Sequence, residues 1–317
     1  MRKAALLYNP DSGGSKRRRR ELESALTLLR TAGIEADLVP TESRDHAGDE
    51  TRRAIASGCD TIFACGGDGT IHNIVQVLAM SPVALAILPM GTANALAHDI
   101  GLPINIAAAA KAALHGALRR IALGRVEYVD LRGNRGSSYF IVAAGVGVDA
   151  HLFYKLHSGT KQRMGMAAYY AKACNLCLTY PMTRFSAEYL ETVSAQLRRE
   201  DVTELMSVRI RNFGGVVQEL APGASLDRDD MRLVVCRTAS RMAYLAYVAR
   251  CLLRRRWTIP GVDLVYSNRV SCEYLSPGDR QQKQSRIYVE ADGELLGTLP
   301  AEITIVPDAL TLLAPTR

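Results

Sequence analysis

The stretch Thr61-Ile62-Phe63-Ala64-Cys65-Gly66-Gly67-Asp68-Gly69-Thr70 passes from an apolar-biased run into three glycines in four positions. Ile71, Ile74, Val75 and Leu78 follow at helical spacing, so the segment reads as strand, tight glycine turn and helix. Glycines lack the Cβ atoms that hold a ligand away. Backbone N–H groups can then converge on phosphate oxygens, and the helix N-terminus adds partial positive charge. Asp68 is the misfit, because a carboxylate in an anion cradle repels phosphates. Two tasks suit it: holding Mg²⁺ against the phosphates, or taking a proton from an attacking hydroxyl. The plainer reading is an ordinary α/β glycine turn whose aspartate caps its helix.

Upstream, a short buried strand over 4–8 ends in Asn9-Pro10-Asp11-Ser12-Gly13-Gly14, and Leu22, Ala25, Leu26 and Leu29 then give a helical stripe. A strand over 35–39 and a helix over 47–56 lead back to the opening stretch. Downstream, the apolar run 83–88 ends in Pro89-Met90-Gly91-Thr92-Ala93-Asn94. Three strands thus end in polar glycine turns, and in an open α/β sheet such ends share one edge, where ligands bind. One glycine turn is weak evidence; the convergence of three favours the phosphate reading.

A chain of 317 residues is long enough for two domains, and 48% hydrophobic content supports sizeable cores rather than disorder. The apolar start at 4–8 is too short for a signal-peptide core, and no uninterrupted apolar run approaches the ~18 residues of a spanning helix. A soluble or peripheral cytoplasmic protein is expected. Net charge of +7 points to anionic partners: nucleotides, acidic lipid surfaces or nucleic acid. Seven scattered cysteines suit reduced thiols, and the lone Cys174-x-x-Cys177 lacks the second pair or histidines of a metal site.

From Gly124 onward the texture changes to short strands near 126–131, 139–143, 184–190, 206–212, 232–236, 263–266 and 287–291. Helices are expected only at 165–178 and 241–254, giving a mostly β second domain, a sandwich or partly closed barrel, with a boundary near 123–128. Three acidic features stand out: Asp130 within a strand-like run, Asp149 after Ala144-Gly145-Val146-Gly147-Val148, and Asp292-Gly293-Glu294, where a DG pair marks a hairpin with solvated carboxylates. The run 184–190 reads as an edge strand able to pair between chains, and oligomeric state stays open.

These pieces together resemble the lipid kinase family of diacylglycerol, sphingosine and ceramide kinases, in its bacterial soluble branch, over nearly the whole length. The resemblance rests on Asn9-Pro10-x-Ser12-Gly13, Gly66-Gly67-Asp68-Gly69-Thr70, Pro89-x-Gly91-Thr92-x-Asn94, Ala143-Ala144-Gly145-x-Gly147-x-Asp149 and Val289-x-x-Asp292-Gly293-Glu294. It implies an N-terminal α/β nucleotide-binding domain (1–125, rejoined by 301–317) and a β-rich lipid domain (126–300), with the site in the cleft between. It implies that Asn9, Ser12, Gly66, Gly67, Gly69, Thr70, Thr92 and Asn94 surround ATP. Asp68 and Glu294 become the acidic residues of catalysis, with Asp130 close by, and Asp149 matches a lipid-headgroup position. A catalytic Mg²⁺ is expected, with Asp68 as its protein ligand. The chain departs from the family at Ala95, often aspartate, at His72-Asn73, and at the turn Leu226-Asp227-Arg228-Asp229-Asp230. Ala95 and that turn lie in the two regions that some bacterial members use for a structural Mg²⁺ network.

The expected activity is ATP- and Mg²⁺-dependent phosphorylation of a membrane-lipid hydroxyl, with diacylglycerol or a related lipid as acceptor, at the inner face of the membrane. An NAD kinase shares GGDGT and a β-rich second domain, but NPxSG and DGE fit lipid kinases better. A nucleotide- or nucleic-acid-binding protein would use the basic surface, yet no stacking platform or nucleic-acid module is present, so no nucleic acid is expected. The stretch 240–257 carries Leu245, Val248, Leu252 and Leu253 on one face, with tyrosines, Arg254-Arg255-Arg256 and Trp257 toward its end. It reads either as a membrane-surface helix or as a helix packed on the β domain with solvated charges.

Overall fold

The computed structural model describes residues 1–10, 16–41, 46–157, 179–215, 219–255, 257–275 and 286–316. Ser12, Arg256 and the helix expected over 165–178, with Cys174 and Cys177, lie outside the described residues. The chain forms two compact units. The first comprises Met1–Leu123, Asn212–Gly214 and Pro307–Arg317; the second comprises Gly124–Arg211 and Gly215–Val306.

In the first unit, β1 (Lys3–Tyr8), β2 (Glu35–Pro40), β3 (Thr61–Gly66) and β4 (Ala84–Pro89) run parallel in the order β2-β1-β3-β4. The C-terminal part of a long last strand adds beyond β4, again in parallel, pairing Thr311 with Ala84 and Leu312 with Leu85. Every residue of β3 and β4 is buried, as expected of central strands covered on both faces. Helices α1 (Lys16–Thr31), α2 (His46–Ala56), α3 (Asp68–Leu78), α4 (Ala95–Asp99) and α5 (Ile106–Leu114) complete this unit. They pack chiefly as two pairs, α1 with α5 and α2 with α3. The strand order reverses between β1 and β3, so the turns that leave these two strands flank a crevice at the sheet's carboxyl edge.

The second unit is built on antiparallel pairing. Its strands are β5 (Ala117–Val129), β6 (Arg135–Phe140), β7 (Ala143–Gly147), β8 (Phe185–Glu191), β9 (Gln196–Val202), β10 (Glu204–Val208) and β11 (Met231–Cys236). They are joined by β12 (Val262–Ser267), β13 (Arg269–Glu273), β14 (Tyr288–Ala291) and β15 (Glu294–Ala314), the first part of β5 and the last part of β15 belonging to the first unit. Alternate residues of these strands, such as Leu233 and Val235, Phe185 and Ala187, Val270 and Cys272, turn inward onto one core.

The α/β-plus-β architecture is the expected one, with local differences. A helix, α6 (Val148–His157), follows β7 where none was expected; its weak amphipathicity and the preceding glycines hide it. The run 139–143 is the junction of β6 and β7 rather than one strand. The polar β9 and the short β13 escaped the pattern, and β8 lies between them, so 184–190 is no edge strand. Helix α7 (Arg241–Leu252) forms as expected, capped by Ser240, whose Oγ accepts from the Ala243 N–H.

Candidate active site

The turn after β3 is a close backbone contact rather than a flexible loop. A Cβ on Gly67 would lie 2.9 Å from the Cα of Gly91, so only two facing glycines let the β3–α3 and β4–α4 turns meet. Met90 N–H donates to Gly66 O at 2.9 Å across the same junction. Gly67 is the N-cap of α3 and contributes no side-chain cap, which keeps the helix N-terminus clear of protein groups at that position.

Asp68 reaches beyond its own helix. Its Oδ1 accepts from the N–H of Ala95 at 2.9 Å, at the start of α4. That N-terminus needs an outside acceptor, because its N-cap, Asn94, makes no capping bond of its own. Asn94 sits in the left-handed region (φ 49) and closes a ring with Gly91, accepting from Gly91 N–H (2.8 Å) and donating to Gly91 O (2.9 Å). Asn94 therefore shapes the turn, whereas Thr92 beside it is exposed. Thr70 lies one turn into α3, half-buried, with Gly69 beside it. Asn9 follows β1, whose last residue, Tyr8, pairs with Cys65 of β3. The first unit thus gathers Asn9, Gly66, Gly67, Asp68, Gly69, Thr70, Thr92 and Asn94 along one carboxyl edge.

The second unit holds a buried acidic cluster. Asp149 opens α6, and its N–H donates to Glu204 Oε2 of β10 at 3.1 Å, while its carboxyl group hydrogen-bonds with Glu290 of β14. Glu204 and Glu290 are almost fully buried, and Glu204 Oε1 has no hydrogen-bond partner among the described residues. Burial pushes the Asp149 carboxyl up to about 6, opposed by its bond with Glu290. Burial, then the neighbouring Asp149 charge, raises Glu204 and Glu290 well above the usual carboxylate range. Gly145 makes the cluster possible, since a Cβ there would meet Asp149 Oδ2 at 2.9 Å and Glu290 Oε1 at 3.0 Å.

The hairpin 292–294 adjoins this cluster. Asp292 (φ 50) and Gly293 (φ 80) form its turn, as the DG pair implied. The Asp292 carboxylate is not simply solvated: it accepts from Ile141, Val142 and Ala143 N–H groups at 3.0, 2.8 and 3.2 Å. Gly293 N–H donates to Glu290 Oε2 at 2.8 Å, which ties the hairpin holding half-buried Glu294 to the acidic cluster.

Asp130 lies beyond the end of β5, in a turn instead of the expected strand. Its carboxylate accepts from Arg132 N–H (2.8 Å), Asn134 N–H (2.8 Å) and Asn134 Nδ2 (3.1 Å), and the Asn134 backbone bond leads in lowering its pKa. Asp130 is a turn-former in this arrangement. Glu204 and Glu290 were missed in the sequence; the available signal was Glu290 inside the otherwise apolar Val289-Glu290-Ala291, whereas Glu204 opens β10 just ahead of the strand expected over 206–212.

The donor sets distinguish two Mg²⁺ expectations. A Mg²⁺ that travels with nucleotide phosphates needs one or two carboxylates, and half-buried Asp68 beside the glycine turn fits that chemistry. The turn 226–230 does not fit a structural Mg²⁺. Arg228 grips Asp230 through two bonds of 2.6 Å, and buried Arg209 donates to Arg228 O at 2.7 Å, so a guanidinium stands where a cation would bind.

Against known families, residues 3–126 match the diacylglycerol kinase catalytic domain, and residues 141–314 match the YegS C-terminal NAD kinase beta sandwich-like domain. A diacylglycerol kinase of Bacillus subtilis (strain 168) is 28% identical over 305 residues, covering 95% of this chain and 93% of that one. One of Staphylococcus epidermidis (strain ATCC 12228) is 29% identical over 318 residues, covering 99% and 93%. A crystal structure of a diacylglycerol kinase from Bacillus anthracis str. Sterne superposes with a TM-score of 0.70 at 18% identity, covering 99% of this chain and 96% of that one. Yeast NADH kinase shares the fold at a TM-score of 0.52 and 10% identity, covering 100% and 84%.

Proposed function

Because the chain belongs to the diacylglycerol kinase family and is a lipid kinase, we propose that it transfers the terminal phosphate of ATP to the free hydroxyl of diacylglycerol or a closely related membrane lipid. The observation that carries this reading is the paired glycine turn with Asp68 fixed on Ala95 N–H at the sheet's carboxyl edge. Phosphoryl transfer demands positioning and charge stabilisation more than covalent chemistry. Backbone N–H groups at the glycine turns and the α3 N-terminus hold the nucleotide phosphates, with Asn9, Ser12, Thr70 and Thr92 around them. Asp68 orients the lipid hydroxyl or takes its proton as the new O–P bond forms and the bond between the β- and γ-phosphates breaks to release ADP. Glu294 is the second acidic residue of the reaction, and Asp149, backed by Glu204 and Glu290, reads the polar head of the lipid. Asp68 would hold a Mg²⁺ bound with the nucleotide, and that ion would neutralise phosphate charge.

Among the described residues no helix is long and apolar enough to cross a membrane. In this reading the protein meets its substrate peripherally, at the inner membrane face where ATP is available, with the stretch 240–257, which contains α7, as its point of contact. The test is radiolabelled phosphate transfer from ATP and Mg²⁺ to mixed micelles of diacylglycerol, monoacylglycerol, phosphatidylglycerol, sphingosine, ceramide or undecaprenol. Label is expected in diacylglycerol or a close relative, falling about 10²–10⁴-fold with Asp68→Asn, the range for loss of a positioned base. Label in NAD and in no lipid would overturn the reading.

A further inference from the structure

Helix α7 is turned the opposite way from an ordinary surface helix. Its inward face carries tyrosine rings, Cys251 and the helix's polar groups: Tyr244 Oη pairs with Thr203 Oγ1 at 2.8 Å, and Tyr247 Oη donates to Leu220 O at 2.7 Å. Arg250, the only charged residue between Arg241 and Arg254, is also buried, stacked 4.5 Å over the Tyr247 ring. Its outward face is apolar. At 3.6 residues per turn Met242, Leu245, Ala246, Ala249, Leu252 and Leu253 fall on one stripe. Met242 is 73% exposed, Leu252 40% and Leu253 60%. Trp257, 48% exposed, lines a groove of about 420 Å³ with Met242, Ala246, Ile259 and Pro260. Arg241, Arg254 and Arg255 stand exposed at the two ends of this apolar stripe.

We propose that this face of α7, together with Trp257, lies flat in the surface of an anionic phospholipid bilayer and seats the second unit on its substrate's membrane. The proposal rests on the reading of the substrate as a bilayer lipid. A second protein surface would leave the end arginines needing acidic partners on that protein. An anionic bilayer answers apolar stripe and flanking cations at once, through burial of apolar area and attraction of the arginines to acidic headgroups. The chain's net charge of +7 acts in the same direction. The sequence already showed an apolar face beside tyrosines, arginines and Trp257; the structure adds its direction, with Tyr244, Tyr247 and Arg250 turned inward and Met242, Leu252 and Leu253 left exposed.

Trp257 is the only tryptophan in the chain, so its fluorescence reports on this face alone. The protein is mixed with vesicles of phosphatidylglycerol and phosphatidylcholine, or of phosphatidylcholine alone, with and without bromines on the upper acyl carbons. The expected result is a blue shift and bromine quenching with the anionic vesicles only. The double variant Met242→Glu, Leu253→Glu is expected to lower vesicle affinity at least tenfold, as loss of two buried apolar groups requires. Arg254→Gln lowers it about fivefold, as for one basic residue near an anionic surface. Phosphorylation of a water-soluble, short-chain diacylglycerol is expected to be unchanged in all three proteins. Trp257 emission unaltered while the protein sediments with vesicles would overturn the proposal. So would a blue shift that grows with protein concentration without lipid, which marks self-association. If the unsubstituted protein leaves the short-chain acceptor unlabelled, the substrate reading fails instead, and the Trp257 spectra still decide the face.

Discussion

Replacing Asp149 with asparagine should stabilise the second unit at neutral pH. Its carboxyl sits with Glu204 and Glu290, near Asp292 and the Tyr180 and Tyr288 hydroxyls, and titrates near 6 because it is withdrawn from water. The unfolded chain would ionise it near 3.9, so ionising the folded form at pH 7 costs about two pKa units, on the order of 3 kcal/mol. The sign follows from proton binding. Between about pH 4 and pH 6 the folded state holds the proton more tightly, so its contribution is full below that window and lost as pH rises through it. Asparagine keeps the shape and a hydrogen bond toward Glu290 but has no charge to ionise. The variant and the parent should match near pH 4, diverge up to pH 6, and differ at pH 7 by roughly 3 kcal/mol, about 6–12 °C in Tm for a body of this size. Urea and thermal unfolding from pH 4 to pH 8, followed by circular dichroism, measure the difference. A variant less stable than the parent at pH 7, or a gap independent of pH, would refute the reasoning. Lipid phosphorylation by the stabilised variant should fall, as expected where buried charge is retained for function at the expense of stability.

Two further outcomes follow from the backbone contacts. Gly67→Ala drives a methyl group against the Gly91 Cα at 2.9 Å, and forcing two turns apart costs about 1–3 kcal/mol or more; a nucleotide-binding titration should show ATP affinity reduced far more than Tm, and unchanged ATP affinity would contradict the closed-turn picture. Asp292→Ala leaves the Ile141, Val142 and Ala143 N–H groups without their acceptor, so urea unfolding should show a loss of about 1–3 kcal/mol, whereas Asp292→Asn should recover part of it.

The first unit was legible because its signals are local. Apolar runs of five or six residues ending in Asn9, Gly66 and Pro89 announce parallel strands, and glycines announce the turns that join them. What local pattern could not show is that Asp68 accepts from the start of α4, because that bond joins residues 27 apart. The same limit explains the second unit. Asp149, Glu204 and Glu290 are scattered over 142 residues and meet only through pairing of β7 with β10 and β14. Asp130 misled because a strand-like Val129-Asp130-Leu131 also suits a turn whose aspartate collects nearby N–H groups, and Asn134 four residues on was the clue. In α7, apolar spacing was visible but its direction was not, since tyrosine hydroxyls can satisfy buried partners as readily as water.

The last strand of the first unit also has a meaning for synthesis. β4, buried throughout, takes residues 307–314 as its outer neighbour, and Met80 N–H donates to Ala309 O beside it. Those residues leave the ribosome only after the whole second unit has been made. Until then the nascent first unit carries an open, wholly apolar sheet edge, the kind of surface that recruits chaperones or a wrong strand. The order of translation thus closes the first unit only after the second has been made, although most of its strands precede the second unit in the chain.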